Sequence, residues 1–161
     1  MVSDASLDQS WAQLSILEPA EREAQMIARY RQVAGLSEDE RKSQVKSMIL
    51  AEYSLPEEAL RAFTISRMRT WIGLDPEVAP VIAETYDAVM QEMPATIAMK
   101  RVSLVQTLVL EFSAEDEERL RELAPRVFAG APSRKLNLDR PNEPDLAVAP
   151  GRKKPFWAFW R

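Results

Sequence analysis

The sequence predicts an all-α protein: a single helical bundle of about six helices with an extended, Pro-containing C-terminal tail. Apolar residues recur at helical spacing, and no segment alternates apolar and polar residues for long enough to form a strand. Glycines stand where this periodicity stops, as they do after helix ends: Gly35, Gly73 and Gly130. Prolines stand where new periodic segments begin, as they do in first helical turns: Pro19, Pro56, Pro76 and Pro94. The connections are short, so we expect sequential helices to pack mostly antiparallel.

The first part of the chain predicts a weak segment and then a regular helix. Residues 1–18 are expected to be weakly helical and loosely attached, with one apolar face formed by Leu7, Trp11 and Leu14. The bundle is predicted to cover residues 19–130. Its first helix runs from about Pro19 to Ala34, and its inward-facing residues are Met26, Tyr30 and Val33.

The next two helices have clear starting points. Ser37 begins the sequence SEDE, a capping box in which Glu40 occupies the third helical position. This helix is predicted to reach about Tyr53 and to bury Val45, Met48, Ile49 and Tyr53. Pro56 opens another helix, which ends near Ile72.

Three further helices complete the predicted bundle. Asp75 and Pro76 open a helix to about Met93, with an irregular first turn because Pro80 cannot donate a backbone hydrogen bond. Its stripe consists of Val78, Ile82, Val89 and Met93. The segment from Pro94 to Phe112 is the most apolar, so we expect it to lie centrally. Ser113 caps the last helix, which Pro125 bends or ends.

The composition changes after Gly130. Residues 131–161 carry five of the eleven prolines, and residues 131–150 contain few large aliphatic side chains. Such a segment buries too little apolar surface to offset its ordering entropy, so residues 131–150 are predicted to be a disordered linker or a loosely draped arm.

Residues 151–161, here called the aromatic-cationic peptide, combine aromatic rings with cations. Four of the twelve aromatic residues of the chain lie in its last six positions. The predicted partner- or membrane-binding residues are Arg152, Lys153, Lys154, Phe156, Trp157, Phe159, Trp160 and Arg161. Aromatic and Arg side chains are typical anchors in protein grooves, and the same residues suit an anionic membrane surface. Burial against the protein's own helices, or in a homo-oligomer, is a third alternative.

The charge distribution disfavours nucleic acid as a partner. Residues 131–161 hold seven Lys or Arg and three Asp or Glu, a side-chain charge of +4. Because the whole chain carries −4, residues 1–130 carry −8. An acidic body repels phosphate backbones. One aromatic peptide is a weak basis for stacking single-stranded bases.

Three arginines fall on apolar helix faces. At 100° per residue, Arg101 lies between Leu108 and Phe112, and Arg61 and Arg67 lie among the apolar residues of their helix. A buried cation needs an acid, a carbonyl group or a ligand anion. Arg61, Arg67 and Arg101 therefore predict either internal ion pairs or an anion site. The candidate acids are Glu52, Glu84 and Glu92.

The chain contains neither cysteine nor histidine. These absences exclude disulfides and Cys nucleophiles, and they remove the commonest general base and transition-metal ligand. We therefore expect no enzyme activity, no cofactor and no metal. The opening MVSDASLDQSW lacks the basic and apolar regions of a secretory signal. We expect a cytoplasmic protein, with peripheral contact to a membrane left open.

These observations predict a non-catalytic adaptor, assembly or anchoring subunit. Its aromatic-cationic peptide would dock into a protein groove or onto an anionic membrane surface, and a protein partner is expected. The alternative is a small-ligand- or anion-binding regulatory protein that uses the arginines on apolar helix faces.

Overall fold

The computed structural model describes residues 7–131, and all regular structure in this range is helical. The α-helices are α1 (Gln9–Gln13), α2 (Pro19–Ala34), α3 (Glu38–Tyr53), α4 (Glu57–Gly73), α5 (Ala79–Glu92), α6 (Ala95–Leu108) and α7 (Ala114–Leu123). Short 3-10 helices follow α1 at Leu14–Ile16 and α6 at Val109–Glu111. The all-α class is confirmed. The predictions for the linker after Ala131 and for the aromatic-cationic peptide lie outside the described residues.

The helix starts follow the local chemistry of the sequence. The Ser37 hydroxyl accepts a hydrogen bond from the Glu40 backbone N–H, and the Glu40 carboxylate accepts one from the Ser37 backbone N–H. α5 begins at Ala79, three residues after Pro76, and residues 76–78 form a turn. Pro80 has no N–H for the Pro76 carbonyl, so the regular hydrogen-bond ladder cannot begin at Pro76.

The central helix is α4, which contacts α2, α3, α5, α6 and α7. Its buried side chains are Leu60, Phe63, Thr64, Ser66, Arg67, Met68, Thr70 and Trp71. The expectation that the apolar segment from Pro94 to Phe112 lies centrally is wrong. α6 buries only Arg101, Leu104, Val105 and Leu108, while Met99 is 71% exposed. The buried Thr64, Ser66 and Thr70 lower the apparent hydrophobicity of α4 in the sequence.

The N-terminal segment from residue 8 onward packs into the core, so the expectation of loose attachment is wrong for this part. Trp11 is 1% exposed, and its ring meets the rings of Tyr30 and Phe63 edge to face, at centroid distances of 5.2 and 5.5 Å. The buried Arg22 guanidinium on α2 anchors the N-terminal segment by donating hydrogen bonds to backbone carbonyl groups of that segment. Nε of Arg22 donates to the Leu14 carbonyl at 3.0 Å, and Nη2 donates to the Leu17 carbonyl at 2.8 Å.

No helix in residues 7–131 combines the length and the apolar character needed to cross a membrane. The longest, α4, has 17 residues and carries Arg67 at its buried face.

We predict that Trp11→Ala lowers the free energy of unfolding by about 3–5 kcal/mol, because it leaves a cavity between Tyr30 and Phe63. Ile16→Ala is the matched control, since Ile16 lies in the same segment but is 84% exposed. Its cost should stay within about 0.5 kcal/mol. Urea unfolding followed by circular dichroism measures both values, and a Trp11→Ala cost as small as the control would contradict this account of the segment.

Candidate functional site

Two features stand out in the described residues: a buried cluster of charges at the centre of the bundle and an open furrow across α5, α6 and α7. In the cluster, Arg67 of α4 and Glu52 of α3 are each 1% exposed. Nε of Arg67 donates to Oε1 of Glu52 at 2.9 Å, and the Tyr86 hydroxyl lies 3.4 Å from Oε2 of Glu52. The sequence therefore placed Arg67 correctly on a buried face, and one of the three suggested acids is its partner.

Aromatic rings connect this ion pair to a second one. Cζ of Arg67 lies 4.8 Å from the centroid of the Tyr86 ring and 5.3 Å from that of Trp71. Cζ of Arg101 lies 4.9 Å from the Tyr86 centroid, and its Nη2 is 2.6 Å from Oδ1 of Asp87. Cation–π contacts of this kind are worth about 2 kcal/mol when they are desolvated. Tyr86 thus couples charges carried by α3, α4, α5 and α6.

The cluster changes the ionisation of its members. Burial raises the pKa of Tyr53 to about 12, with the Glu52 carboxylate adding to this and the Arg67 cation opposing it. Burial likewise raises the pKa values of Tyr30 and Tyr86. Desolvation alone would lower the pKa of Arg67, but the adjacent Glu52 carboxylate holds it well above its usual value. All three tyrosines therefore stay neutral, and Arg67 stays charged, at neutral pH.

The cluster leaves almost no room for a ligand. Arg67 and Arg101 both line one narrow crevice with a volume of about 10 Å³, beside Trp71 and Phe128. Nη2 of Arg67 and Nε of Arg101 have no hydrogen-bond acceptor among residues 7–131. A volume of this size holds roughly one water molecule. The arrangement therefore suits internal ion pairs, with space for one water-sized acceptor.

The third predicted arginine is not part of the cluster. Arg61 is half-buried, and it does not line the crevice that Arg67 and Arg101 share. Six residues along a helix correspond to a rotation of about 120° from Arg67, which directs Arg61 to another side of α4. The suggested acids Glu84 and Glu92 are exposed. Asp87, the actual partner of Arg101, was missed because the contact depends on how α5 and α6 pack.

The second feature begins at an open apolar face of α6. Met99 is 71% exposed and Val102 is 37% exposed. Together with Ala98, Ser103 and Gln106 they line a shallow hollow of about 490 Å³. These residues lie on one side of the helix, because positions three, four and seven apart share a face.

Two more hollows continue from this face towards α7. A small one of about 140 Å³ shares Ala98 and Val102 with the face and adds Asp87, Gln91 and Arg126. A deeper one of about 460 Å³ between α5 and α7 shares Asp87, Gln91 and Arg126 and adds the exposed Glu84 and Glu122. Neighbouring hollows share lining residues and therefore adjoin one another, and the three together are here called the α5–α6 furrow.

The last turn of the described structure contributes Val127 to the small hollow of this furrow. After α7, Gln106 Nε2 donates to the Val127 carbonyl at 2.7 Å, which holds the last turn against α6. Nη1 of Arg121 donates to the Ala131 carbonyl at 2.8 Å. Gly130 has a φ of +79°, a left-handed conformation that redirects the chain at that point.

The residues of the aromatic-cationic peptide, from Arg152 to Arg161, lie outside the described residues. Within residues 7–131, no group of three or more acidic side chains is arranged to hold a metal ion. Neither a protein-family model, nor a curated protein, nor a solved structure matches this chain.

We predict that Arg67→Met lowers the free energy of unfolding by about 3–5 kcal/mol, because it leaves the buried Glu52 carboxylate without a cation. The double variant Glu52→Gln/Arg67→Met should be more stable than Arg67→Met alone, since the charge is removed together with its partner. Urea unfolding of the single and double variants measures the coupling. Additive costs would show that the two side chains do not stabilise each other.

The tyrosines give a pH test of this region, because the chain has three tyrosines and each lies within reach of the Arg67 and Glu52 charges. Unfolded tyrosine ionises near pH 10, whereas the folded protein keeps these groups protonated to higher pH. Stability should therefore be full below about pH 10 and fall as the pH rises towards 12. Phenolate absorbance at 295 nm should rise near pH 10 in concentrated urea and above pH 11 in buffer. Coincident curves would contradict the burial of the phenols.

Proposed function

We propose that the protein is a non-catalytic adaptor or assembly subunit that engages a partner protein through an extended, Pro-containing tail ending in the aromatic-cationic peptide. The observation that carries this proposal is the α5–α6 furrow, whose apolar face is open in the described part of the chain. An apolar face bordered by charged residues is the usual anatomy of a protein interaction site.

The peptide and the furrow are complementary kinds of binding element. Trp157, Trp160 and Arg161 belong to the residue types that dominate binding energy at interfaces, because large rigid side chains fill pockets and exclude water. Met99 in the furrow is a flexible, polarisable side chain of the kind found on adaptable binding surfaces. One chain therefore carries an element suited to insertion and a groove suited to accept one.

An anionic membrane surface is the competing destination for the peptide. Its four cations and two indole rings suit the membrane–water interface, where each cation contributes about 1 kcal/mol. The furrow favours a protein groove, because a peripheral anchor does not require an apolar groove on the body.

The anion-binding alternative receives less support from the geometry. Arg67 and Arg101 already hold Glu52 and Asp87, at 2.9 and 2.6 Å. Their shared crevice of about 10 Å³ is too small for an organic anion.

The test compares the full chain with Trp157→Ala/Trp160→Ala, and uses Leu136→Ala/Leu138→Ala as a matched control in the preceding stretch. Proximity labelling in cells measures which proteins lie beside each variant. The full chain and the control should label the same partner set, and the Trp double variant should lose it. The reason is that removing two hot-spot rings costs at least about 4 kcal/mol of binding.

Vesicle flotation separates the competing destination. The full chain should stay unbound with vesicles of pure phosphatidylcholine and with vesicles containing phosphatidylserine. Flotation that requires phosphatidylserine, Trp157 and Trp160 would overturn the protein-groove proposal in favour of a membrane anchor. An unchanged partner set in the Trp double variant would overturn a docking role for the peptide altogether.

A further inference from the structure

We propose that, in the free protein, the α5–α6 furrow is occupied by the aromatic-cationic peptide of the same chain. This inference rests on the proposed function, because it takes the peptide as a docking element and identifies its groove. The contact covers the open apolar face of α6 and keeps the peptide from other grooves until a partner displaces it.

The last turn of the described structure lies close to the furrow. Gln106 lines the apolar face of α6 and also donates to the Val127 carbonyl, so the last turn and the furrow share a wall. The carbonyl of Ala131 is fixed by Arg121 at 2.8 Å. The segment that follows Ala131 therefore begins within a few residues of Val127, which lines the furrow.

The segment that connects the described structure to the peptide is long enough to reach the furrow. Twenty residues, 132–151, precede Arg152, and they reach up to about 66–72 Å when fully extended. The part of α6 that lines the furrow, from Ala98 to Gln106, is only about 13 Å long. A tether of this length brings the peptide back without strain and gives it an effective concentration in the millimolar range. A contact that is too weak to bind the peptide as a separate molecule is then strong enough to hold it when it belongs to the same chain.

The apolar face of α6 and the aromatic rings of the peptide are chemically complementary. Met99 and Val102 offer an apolar surface to the rings of Phe156, Trp157 and Trp160. At the other end of the furrow, Glu84 presents an exposed carboxylate, whereas Glu122 pairs with Arg119 and Asp87 pairs with Arg101. Charge within the furrow therefore contributes little to the choice of this position. On a larger scale, the +4 charge of residues 131–161 faces a body of −8. Charge attracts the segment to the body, and the apolar face selects where the rings bind.

A second hollow, here called the decoy hollow, tests whether negative charge alone could determine where the peptide binds. On α3, the exposed Ser43 lies in an open hollow of about 540 Å³ together with the acidic residues Asp39 and Glu40. If attraction to acidic surface decided the position of the peptide, this hollow would compete well. The α6 hollow contains the exposed Ser103 beside Met99 and Val102. The peptide should prefer this hollow only if burial of its aromatic rings determines where it binds.

The absence of cysteine from the chain makes a disulfide test clean. Ser103→Cys/Ala158→Cys places one thiol in the furrow and one between the aromatic residues of the peptide. Ser43→Cys/Ala158→Cys is the matched control, with the same isosteric change at the decoy hollow. Both full-length variants are oxidised with diamide at two protein concentrations tenfold apart, and the products are separated by non-reducing electrophoresis.

We expect the Ser103→Cys pair to close at least about tenfold faster than the Ser43→Cys pair, as an intramolecular bond whose rate does not change on dilution. Adding Met99→Glu should remove this preference. Equal rates at both positions would overturn the inference. A product that is mainly a cross-linked dimer, with a rate that falls on dilution, would overturn it in favour of docking on a second copy.

The outcome is independent of the test of the proposed function. Equal cross-linking rates together with a partner set that still requires Trp157 and Trp160 would refute docking in cis while leaving the adaptor proposal in place. Equal cross-linking rates together with a partner set that does not require Trp157 and Trp160 would refute both docking in cis and the adaptor proposal.

Discussion

The structure depends on the burial of the Arg67 guanidinium against the Glu52 carboxylate. Each partner is 1% exposed, so neither charge can recover its hydration without opening the bundle. Tyr86 binds Glu52 through its hydroxyl group and both Arg67 and Arg101 through its ring. The hydrogen bond, the two ring contacts and the Arg101–Asp87 pair connect α3, α4, α5 and α6. Such a buried network stabilises only the arrangement that satisfies it, and we infer that it selects this packing over other compact ones.

This central network also explains why α6 has an apolar surface. α6 uses one face to place Arg101 near Asp87 and to bury Leu104, Val105 and Leu108. It lies at the edge of the bundle because α4 occupies the centre, and Met99 and Val102 therefore face outward. The furrow beside them is bounded by the same α5 residue, Asp87, that completes the second ion pair. The core and the proposed docking surface thus share one helix and one side chain.

The sequence was most informative where the physics is local. Capping at Ser37 and Ser113 and the disturbance of α5 by Pro80 depend on neighbours within a few residues, and they could be predicted. The arginines on apolar faces could be identified by helical geometry, but the choice of Asp87 for Arg101 depends on long-range packing. Arg22 was missed because its five-bond anchor to α4 and the N-terminal segment uses carbonyl and hydroxyl groups, which carry no sequence pattern. The burial of α6 was overestimated because exposed apolar residues such as Met99 and Val102 cannot be told from core residues in the sequence.

The most direct test of the central claim is the hydrogen-exchange rate of the Arg67 side-chain Nε–H, measured by nuclear magnetic resonance across a series of urea concentrations. Arg69 is the internal reference, because it lies two residues away on α4 and its side chain is 56% exposed. We expect the Arg67 proton to exchange only through global unfolding, with the same free energy and urea dependence as the slowest amides of α4. Exchange of the Arg67 proton as fast as that of Arg69 would show that the ion pair opens independently, and it would contradict the central role assigned to it.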